Sequence, residues 1–276
     1  MAKTPKTSKI QVAGRLVVLA GLCVMGAAAM SMHQQLFLLC VRKAPPTIPT
    51  ARDYVQNGLV AMWDGIENAG WGVHDPNATV WKELISGTDC TYSDANGTPN
   101  WVANGWESVV TDGKYFNAFY PDGLAKHHTL QFVITKSTAN YPTRGIICGA
   151  YSLSGGNSCN FEYTPSNSTN GIFRAYYAGS PVFATPAVWE LGLPSAFSVI
   201  YDNSTYSILQ GIDGAATATS IYNRLVQSPM RIGADQRAAT FTFGGVIHSI
   251  RFYNHALTAE EIAANYAIDK ERFNLP

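Results

Sequence analysis

Charged residues are scarce in this sequence: only 14% of its 276 residues are Asp, Glu, Lys or Arg, and the formal net charge is zero. A typical soluble domain has about 25% charged residues, so neutral polar side chains must cover much of this surface. The even charge excludes a generally basic nucleic-acid binder, and we expect no nucleic-acid partner. Aromatic residues make up 12% of the chain, which is too many for a disordered protein.

Motifs of common enzymes and of zinc sites are also missing. The five cysteines include no C-x-x-C pair, so zinc binding and thioredoxin-type redox chemistry have no support. The sequence has no G-x-S-x-G elbow, no H-E-x-x-H helix and no P-loop. For Cys90, Cys148 and Cys159 two interpretations stay open, namely one disulfide with one free thiol, or three free thiols.

Acidic residues are absent from the first 52 positions, whereas six of the 19 basic residues lie in residues 1–43. Residues 16–41 are almost wholly apolar. They fit a secretory signal with small residues at Ala27 and Ala29. They also fit a membrane helix, since 26 residues span about 39 Å and the hydrocarbon core is about 30 Å thick.

A third interpretation of residues 16–41 is an arm packed against neighbouring subunits. We therefore treat residues 1–43 as a signal peptide or an anchor to a membrane or assembly, and the proline-containing residues 44–51 as a linker. Most of these interpretations place the rest of the chain outside the cytoplasm, at a cell surface or on a virion.

Residues 52–276 carry the pattern of a single all-β domain. Apolar or alternating segments, separated by turns rich in Gly, Asn, Asp and Ser, recur at 59–63, 130–135, 145–151, 172–177, 196–201, 206–209, 230–233 and 241–253. Many short strands of this kind favour an antiparallel two-sheet sandwich. We expect Trp63, Trp81 and Trp189 in its core.

In the last strand, simple alternation places Val246, His248, Ile250 and Phe252 on one face. A short helix follows this strand.

The helix is predicted to begin after Thr258, because Thr258 and Glu261 have the spacing of a capping box. An apolar stripe of Ile262, Ala263 and Tyr266 would pack on the sheet. Asp269, near the end of the helix, is expected to face solvent.

A resemblance to a known family rests mainly on residues 244–262, which read GGVIHSIRFYNHALTAEEI. They resemble the end of a laminin-G-like, concanavalin A-like jelly-roll domain, in which a strand G-x-I-x-x-V-R-[IF]-Y-N-x-A-L is followed by [ST]-x-x-E-I. Residues 230–235 and 57–65 are similar to its preceding and opening strands. The resemblance implies two curved antiparallel sheets that form a module binding glycans or proteins, in some members with calcium. Such modules occur on secreted bacterial proteins and phage structural proteins.

Candidate ligand-binding residues lie in two loop-rich stretches. We expect Trp71, His74, Asp75 and Trp106 to contact a ligand, since sugars stack on aromatic rings and hydrogen-bond to polar side chains. Calcium is the candidate cofactor, because it takes about six to eight oxygen ligands. The oxygen ligands that the sequence offers for calcium are Asp64, Asp75 and Asp235.

Three functions follow in order of preference. The first is a non-enzymatic, carbohydrate-binding or adhesive module that meets a glycan or glycoprotein. The second is a structural or tail subunit of a phage or other assembly, docked by its N-terminal arm. The third is a glycan hydrolase with dispersed carboxylates, although the E-x-D-x-x-E strand of hydrolytic relatives is absent.

Overall fold

The strands of this chain form two antiparallel sheets, as the sequence predicts. The computed structural model describes residues 47–276, except 111, 122–123, 125–126, 138–143, 152–157, 166–169, 178–179, 185–188, 204, 220–228 and 235–240. The predicted segment 1–43, residues 44–46 of the linker and Asp235 lie outside the described residues. Residues Ile48–Pro276 form one compact unit.

The described elements begin with a short 3-10 helix at Ala51–Asp53 and end with helix α1 at Ala259–Phe273. Between them lie the strands β1 (Leu59–Asp64), β2 (Val80–Lys82), β3 (Asp89–Tyr92), β4 (Trp101–Val102), β5 (Gly105–Ser108), β6 (Phe116–Phe119), β7 (His127–Lys136), β8 (Gly145–Tyr151), β9 (Ser158–Pro165), β10 (Asn170–Tyr177), β11 (Ser180–Ala184), β12 (Trp189–Glu190), β13 (Pro194–Asp202), β14 (Thr205–Gln210), β15 (Asp213–Thr219), β16 (Pro229–Ile232) and β17 (Gly245–Tyr253).

Sheet A contains the last strand at its centre. Its order is β15-β14-β13-β7-β17-β5-β4, and β1 also pairs with β17. Sheet B has the order β11-β10-β9-β8-β16-β6-β3-β2, with β12 beside β10. The predicted all-β, two-sheet antiparallel sandwich is therefore confirmed. In the described part of the chain, no helix is both long and apolar enough to cross a membrane.

Aromatic rings from both sheets fill the space between them. Phe132 of sheet A lies 5.0 Å from Phe161 of sheet B, and Phe173 of sheet B stacks on Phe197 of sheet A at 4.6 Å. The predicted core tryptophans Trp63, Trp81 and Trp189 are completely buried. Such rings bury large apolar areas and are the main contribution to packing here. Cys90 and Cys148 are both buried.

Strand β17 departs from simple alternation at His248. The register with β7 shifts between Ile247 and Ser249, so His248 is the extra residue of a β-bulge. Ile247, Ile250 and Phe252 all point into the core. The prediction that His248 shares a face with Ile250 and Phe252 is therefore wrong, because the bulge reverses the alternation.

Helix α1 begins as predicted but buries a different face. Thr258 caps it, and both bonds of the capping box with Glu261 are present. The buried helix residues are Ile262, Asn265, Asp269, Arg272 and Phe273. Of the predicted apolar stripe only Ile262 is buried, and Asp269 does not face solvent. The reason is that this helix packs on polar partners.

Those partners form a polar layer between α1 and the outer face of sheet A. We use this name for Tyr54, Asp64, Glu67, Gln131, Arg251, Asn265, Asp269 and Arg272. Arg251 donates two hydrogen bonds to Asp269, at 2.7 and 2.6 Å, and the hydroxyl of Tyr54 donates a third at 2.7 Å. Arg272 donates to Asp64 at 2.8 Å and to Glu67 at 3.2 Å. These directional bonds fix the helix on the sheet.

Candidate functional site

The loop at residues 65–75, which follows β1, is held rigidly by two buried side chains. Asn68 pairs with the backbone of Asp75 in both directions, since its amide donates to the carbonyl and its oxygen accepts from the N–H, each at 2.8 Å. Glu67 accepts from the N–H of Gly72 at 2.8 Å and from that of Ala51 at 2.7 Å. The 65–75 loop is therefore tied to the polar layer and to the segment before β1.

The 65–75 loop presents three of the predicted ligand residues. Trp71 is half-buried, and the guanidinium of Arg52 lies 4.4 Å from its ring centroid. His74 is exposed, and its Nδ1 is 3.1 Å from the carbonyl oxygen of Gly65. Asp75 accepts a bond from the N–H of Asn77 at 2.8 Å, as turn aspartates commonly do. Since Arg52 covers one face of the Trp71 ring, that face is not open to a sugar.

Trp106, the fourth predicted ligand residue, lies elsewhere. It is 1% exposed, and its ring meets Phe116 edge-on at 5.0 Å. A methyl group added to Gly233 would lie 2.4 Å from the same ring, so the fit is close. A stacking platform made of Trp71 and Trp106 therefore does not exist in this structure, because Trp106 is part of the core.

Of the three predicted calcium ligands, the structure describes Asp64 and Asp75, while Asp235 lies outside the described residues. Asp64 is completely buried, and its Oδ1 accepts from Arg272, whose positive charge occupies the place of a cation. Burial raises the pKa of Asp64 to about 6, and Arg272 opposes that rise. In the described ranges no group of three or more His, Cys, Asp or Glu residues could hold a metal ion. Asp64 therefore does not fit a calcium site.

A cleft of about 470 Å³ opens beside the C-terminal end of α1. This volume lies in the range of about 300–1,000 Å³ that is usual for small-ligand sites. The cleft is lined by Asn104, Thr135, Leu193, Pro194, His248, Phe273, Asn274, Leu275 and Pro276. None of these nine side chains is acidic, and the only titratable one is His248.

His248 forms the floor of the cleft in one defined tautomer. Its Nδ1 lies 2.9 Å from the carbonyl oxygen of Asn104, and a carbonyl only accepts, so Nδ1 carries the proton. Its Nε2 then accepts from the hydroxyl of Thr135 at 2.8 Å. Burial lowers the pKa of His248 to about 4. His248 is therefore uncharged at neutral pH, and the described lining contains no charged side chain.

Gly65 joins the cleft to the 65–75 loop. Its N–H donates to the carbonyl of His248 at 2.8 Å, and its own carbonyl is the partner of His74. A methyl group added to Gly65 would lie 2.3 Å from Cα of Gly105 and 3.0 Å from the carbonyl oxygen of Asn104. Only glycine allows this close approach. His74 and the cleft therefore lie at the same end of the sandwich.

Two asparagine side chains, those of Asn104 and Asn274, line the cleft. Neither the Asn104 nor the Asn274 side chain has a hydrogen-bond partner in the described part of the chain. Asn274 ends α1 in the left-handed conformation, with φ of 54°. Leu193, which is 40% exposed, provides an apolar wall beside them. The cleft thus offers hydrogen-bonding groups next to an apolar surface.

Sequence reasoning missed this cleft, although two signals were available. Asn is common just after the last residue of a helix, so the position of Asn274 could have been predicted. A histidine within the apolar strand β17 also indicated a buried polar contact. The bulge that turns His248 outward and the approach of Gly65 to Gly105 leave no trace in spacing or composition.

The two antiparallel sheets, with helix α1 on the outer face of sheet A, define a β-sandwich domain. The sequence profile of the concanavalin A-like lectin/glucanases superfamily matches residues 126–263, which are half of the chain. The chain belongs to this superfamily. The matched region runs from β7 to the first turn of α1. No curated protein matches the sequence significantly.

Solved structures with this fold include two kinds of glycan-processing protein. Trypanosoma rangeli sialidase in complex with sialic acid has a TM-score of 0.57 and 18% identity, over 82% of this chain and 34% of that chain. A mutant of that sialidase with trans-sialidase activity has a TM-score of 0.55 at 18% identity, over 83% and 34%. The chain thus spans about a third of the length of these sialidases.

A second kind is domain 4 of AbnA, an extracellular GH43 arabinanase from Geobacillus stearothermophilus, in complex with arabinotriose. It has a TM-score of 0.56 and 14% identity, and the alignment covers 76% of this chain and 98% of that domain. At these identities the likeness shows a shared fold.

Proposed function

We propose that this chain is a non-enzymatic carbohydrate-binding module, and that the sugar lies in the cleft at the end of α1. The observation that carries this proposal is a cleft of about 470 Å³ in which two amides without partners among the described residues lie beside an apolar wall, with no charged side chain in the described lining. Sugars carry hydroxyl groups that both donate and accept, beside apolar C–H faces. A site for them therefore needs a few polar groups placed on an apolar surface.

Binding rather than hydrolysis is supported by the lining of the cleft. Glycoside hydrolysis usually requires two carboxyl groups, about 5–5.5 or 6.5–9.5 Å apart. No Asp or Glu side chain of the described ranges lines the cleft. Both ring nitrogens of His248 bond to the protein, so this histidine has no free position from which to move a proton. Asp64 and Glu67, on either side of Gly65 in the sequence, are bound to Arg272.

The 65–75 loop is the second part of the proposed surface. Its exposed His74 is linked to the cleft through Gly65, and Trp71 and Asp75 lie on the same loop. A glycan longer than the cleft would reach this loop. The complex of the arabinanase domain with arabinotriose supports a sugar ligand for a domain of this size and fold.

The location of the protein is a proposal from the sequence. Residues 16–41, on which the signal, the membrane anchor and the subunit contact depend, lie outside the described residues. We propose a cell-surface, secreted or virion location for the domain. Mass measurement of the mature N-terminus from the native source tests whether residues 1–43 are cleaved.

Screening the full-length chain against an array of oligosaccharides tests the proposed function. We expect binding to at least one glycan, and no release of reducing sugar on incubation. Binding to none, both with and without added calcium, would end the proposal. Hydrolysis of a bound glycan would replace it with the hydrolase alternative.

A further inference from the structure

We propose that the cleft is selective for an uncharged sugar unit and that Asn104 and Asn274 are its specificity-determining residues. This inference rests on the proposed function and deepens it, because it names the chemical class of the ligand.

The charge of the surroundings favours a neutral ligand. Among the residues that the structure describes, no Asp, Glu, Lys or Arg side chain lines the cleft. Arg272 is adjacent in sequence to Phe273 of the lining, but its side chain is 1% exposed and bonded to Asp64 and Glu67. An acidic sugar would place its carboxylate in the cleft without a basic partner. Moving a carboxylate out of water without such a partner is strongly unfavourable.

The hydrogen bonds of Thr135 and His248 determine whether the floor of the cleft offers donors or acceptors to a ligand. The hydroxyl of Thr135 donates to Nε2 of His248, and Nδ1–H of His248 donates to the carbonyl of Asn104. The Thr135 proton is therefore engaged, and its oxygen offers only lone pairs to a ligand. A sugar hydroxyl can donate to this oxygen, whereas a carboxylate would be repelled by it. His248 is thus a positioning residue for Thr135.

The side-chain amides of Asn104 and Asn274 are the other hydrogen-bonding groups of the cleft. An amide both donates and accepts, as a sugar hydroxyl does, so Asn104 and Asn274 match pairs of hydroxyl groups. Asn104 lies in the turn between β4 and β5, and its backbone is fixed by the bond from His248. Asn274 is fixed by the left-handed turn that ends α1. Both amides therefore start from a defined position.

The test compares matched neutral and acidic glycans on the full-length chain by titration calorimetry. The probes are galacturonic acid oligosaccharides and their methyl esters, together with any neutral glycan found on the array. These uronic probes share their rings and differ in the charge of the carboxyl group. We expect the neutral form to bind at least about tenfold more tightly than the charged form.

Variants then connect the selectivity to the amides. Asn274→Gly keeps the left-handed backbone and removes the amide, and Asn104→Ala keeps the carbonyl that holds His248. Each should weaken binding of a neutral glycan by about 3- to 10-fold, the effect of losing a hydrogen bond between neutral groups. Asn117→Ala, on an exposed residue of sheet B, is the control and should leave binding unchanged.

A pH profile provides a second readout. Neutral-glycan affinity should stay constant from about pH 5 to 9, and fall towards pH 4 as His248 gains a proton and Thr135 loses its acceptor. Preference for acidic glycans, or neutral binding that both Asn variants leave intact, would overturn this inference while the proposed function stands. Failure to bind any glycan would instead remove the proposed function, and the inference with it.

Discussion

The two faces of sheet A are built from different chemistry. The inner face packs apolar and aromatic side chains such as Phe132 and Ile250 against sheet B. The outer face holds α1 through ion pairs and hydrogen bonds, among them that of Arg251 with Asp269. Apolar packing depends mainly on volume and tolerates changes of shape, whereas ion pairs specify position. The outer face therefore fixes where α1 ends, and with it one side of the cleft.

The polar layer also connects the parts of the proposed site. Glu67 joins the 65–75 loop, the segment at Ala51 and Arg272 of α1. Val55 and Gln131 are joined through Asn265. Breaking either face should destabilise the fold, but only changes on the outer face should also move the cleft. Single substitutions on each face therefore separate a change in stability from a change in the cleft.

The largest effect is expected for Asp269→Ala. This change leaves Arg251 buried without its carboxylate and removes the acceptor of the Tyr54 hydroxyl. Breaking a buried pair on one side typically lowers the free energy of unfolding by about 3–5 kcal/mol. Urea unfolding of the full-length chain measures it. Glu271→Ala, on the exposed side of α1, should change stability by less than about 0.5 kcal/mol. Equal effects of the two variants would contradict the role of the polar layer.

Lys136 is the exception on the inner face, and replacing it should stabilise the protein. Its Nζ has no hydrogen-bond partner among the described residues, and it lies 4.9 Å from the Tyr163 ring and 5.4 Å from the Phe243 ring. Burial lowers the pKa of Lys136 from 10.5 to about 8. Lys136→Met should raise the free energy of unfolding at pH 7 by about 3 kcal/mol, which corresponds to this pKa difference.

The gain from Lys136→Met should depend on pH in a defined direction. Between about pH 8 and 10.5 the unfolded wild-type chain holds the extra proton, so the wild type becomes more stable as pH rises and the gain disappears. Unfolding at pH 7 and at pH 10 measures this. Lys82→Met, at an exposed ion pair with Asp89, is the control and should show no such pH dependence. A gain that stays constant with pH would refute the explanation.

Gly65→Ala should disturb the cleft end with a moderate loss of stability. The added methyl group would lie 2.3 Å from Cα of Gly105, so β1 and the β4–β5 turn must separate. Overpacking of this kind costs about 1–3 kcal/mol. We expect weaker glycan binding as well, because the turn carries Asn104. Unchanged stability and unchanged affinity would show that this approach does not position the site.

The smallest effect is expected for Ile250→Val, one residue before Arg251 but on the inner face. Removing one buried methylene typically lowers the free energy of unfolding by about 0.5–1.5 kcal/mol. Glycan affinity should remain that of the wild type, since the cleft lies outside the sandwich. A loss of affinity comparable to that of Gly65→Ala would mean that the two faces of sheet A are not independent.

The inner face could be predicted from the sequence because its pattern is local. Strand β8 was predicted at its observed bounds, Gly145–Tyr151, and the capping box of Thr258 is present. The buried face of α1 could not be predicted, because Asp269 and Arg272 have partners in distant strands and loops. A charged side chain on a helix normally faces solvent. Here Asp269 and Arg272 are buried, because each forms an ion pair with a residue far away in the sequence.

The part of the candidate site that has a local sequence pattern could also be predicted. Its polar loop follows from composition, so Trp71, His74 and Asp75 were found together on residues 65–75. Trp106 was misjudged, because a tryptophan in a loop-rich stretch has no sequence feature that reports burial. The cleft draws its lining from the β4–β5 turn, β7, β13, β17 and the end of α1. No local pattern indicates such an assembly.

The most direct test of the account is a crystal structure of the full-length chain with a neutral oligosaccharide taken from the array. We expect a sugar ring in the cleft, within hydrogen-bond distance of the Asn104 and Asn274 amides. A hydroxyl group of the sugar should donate a hydrogen bond to the oxygen of Thr135. A sugar bound on the outer face of sheet B, with the cleft holding only water, would contradict it.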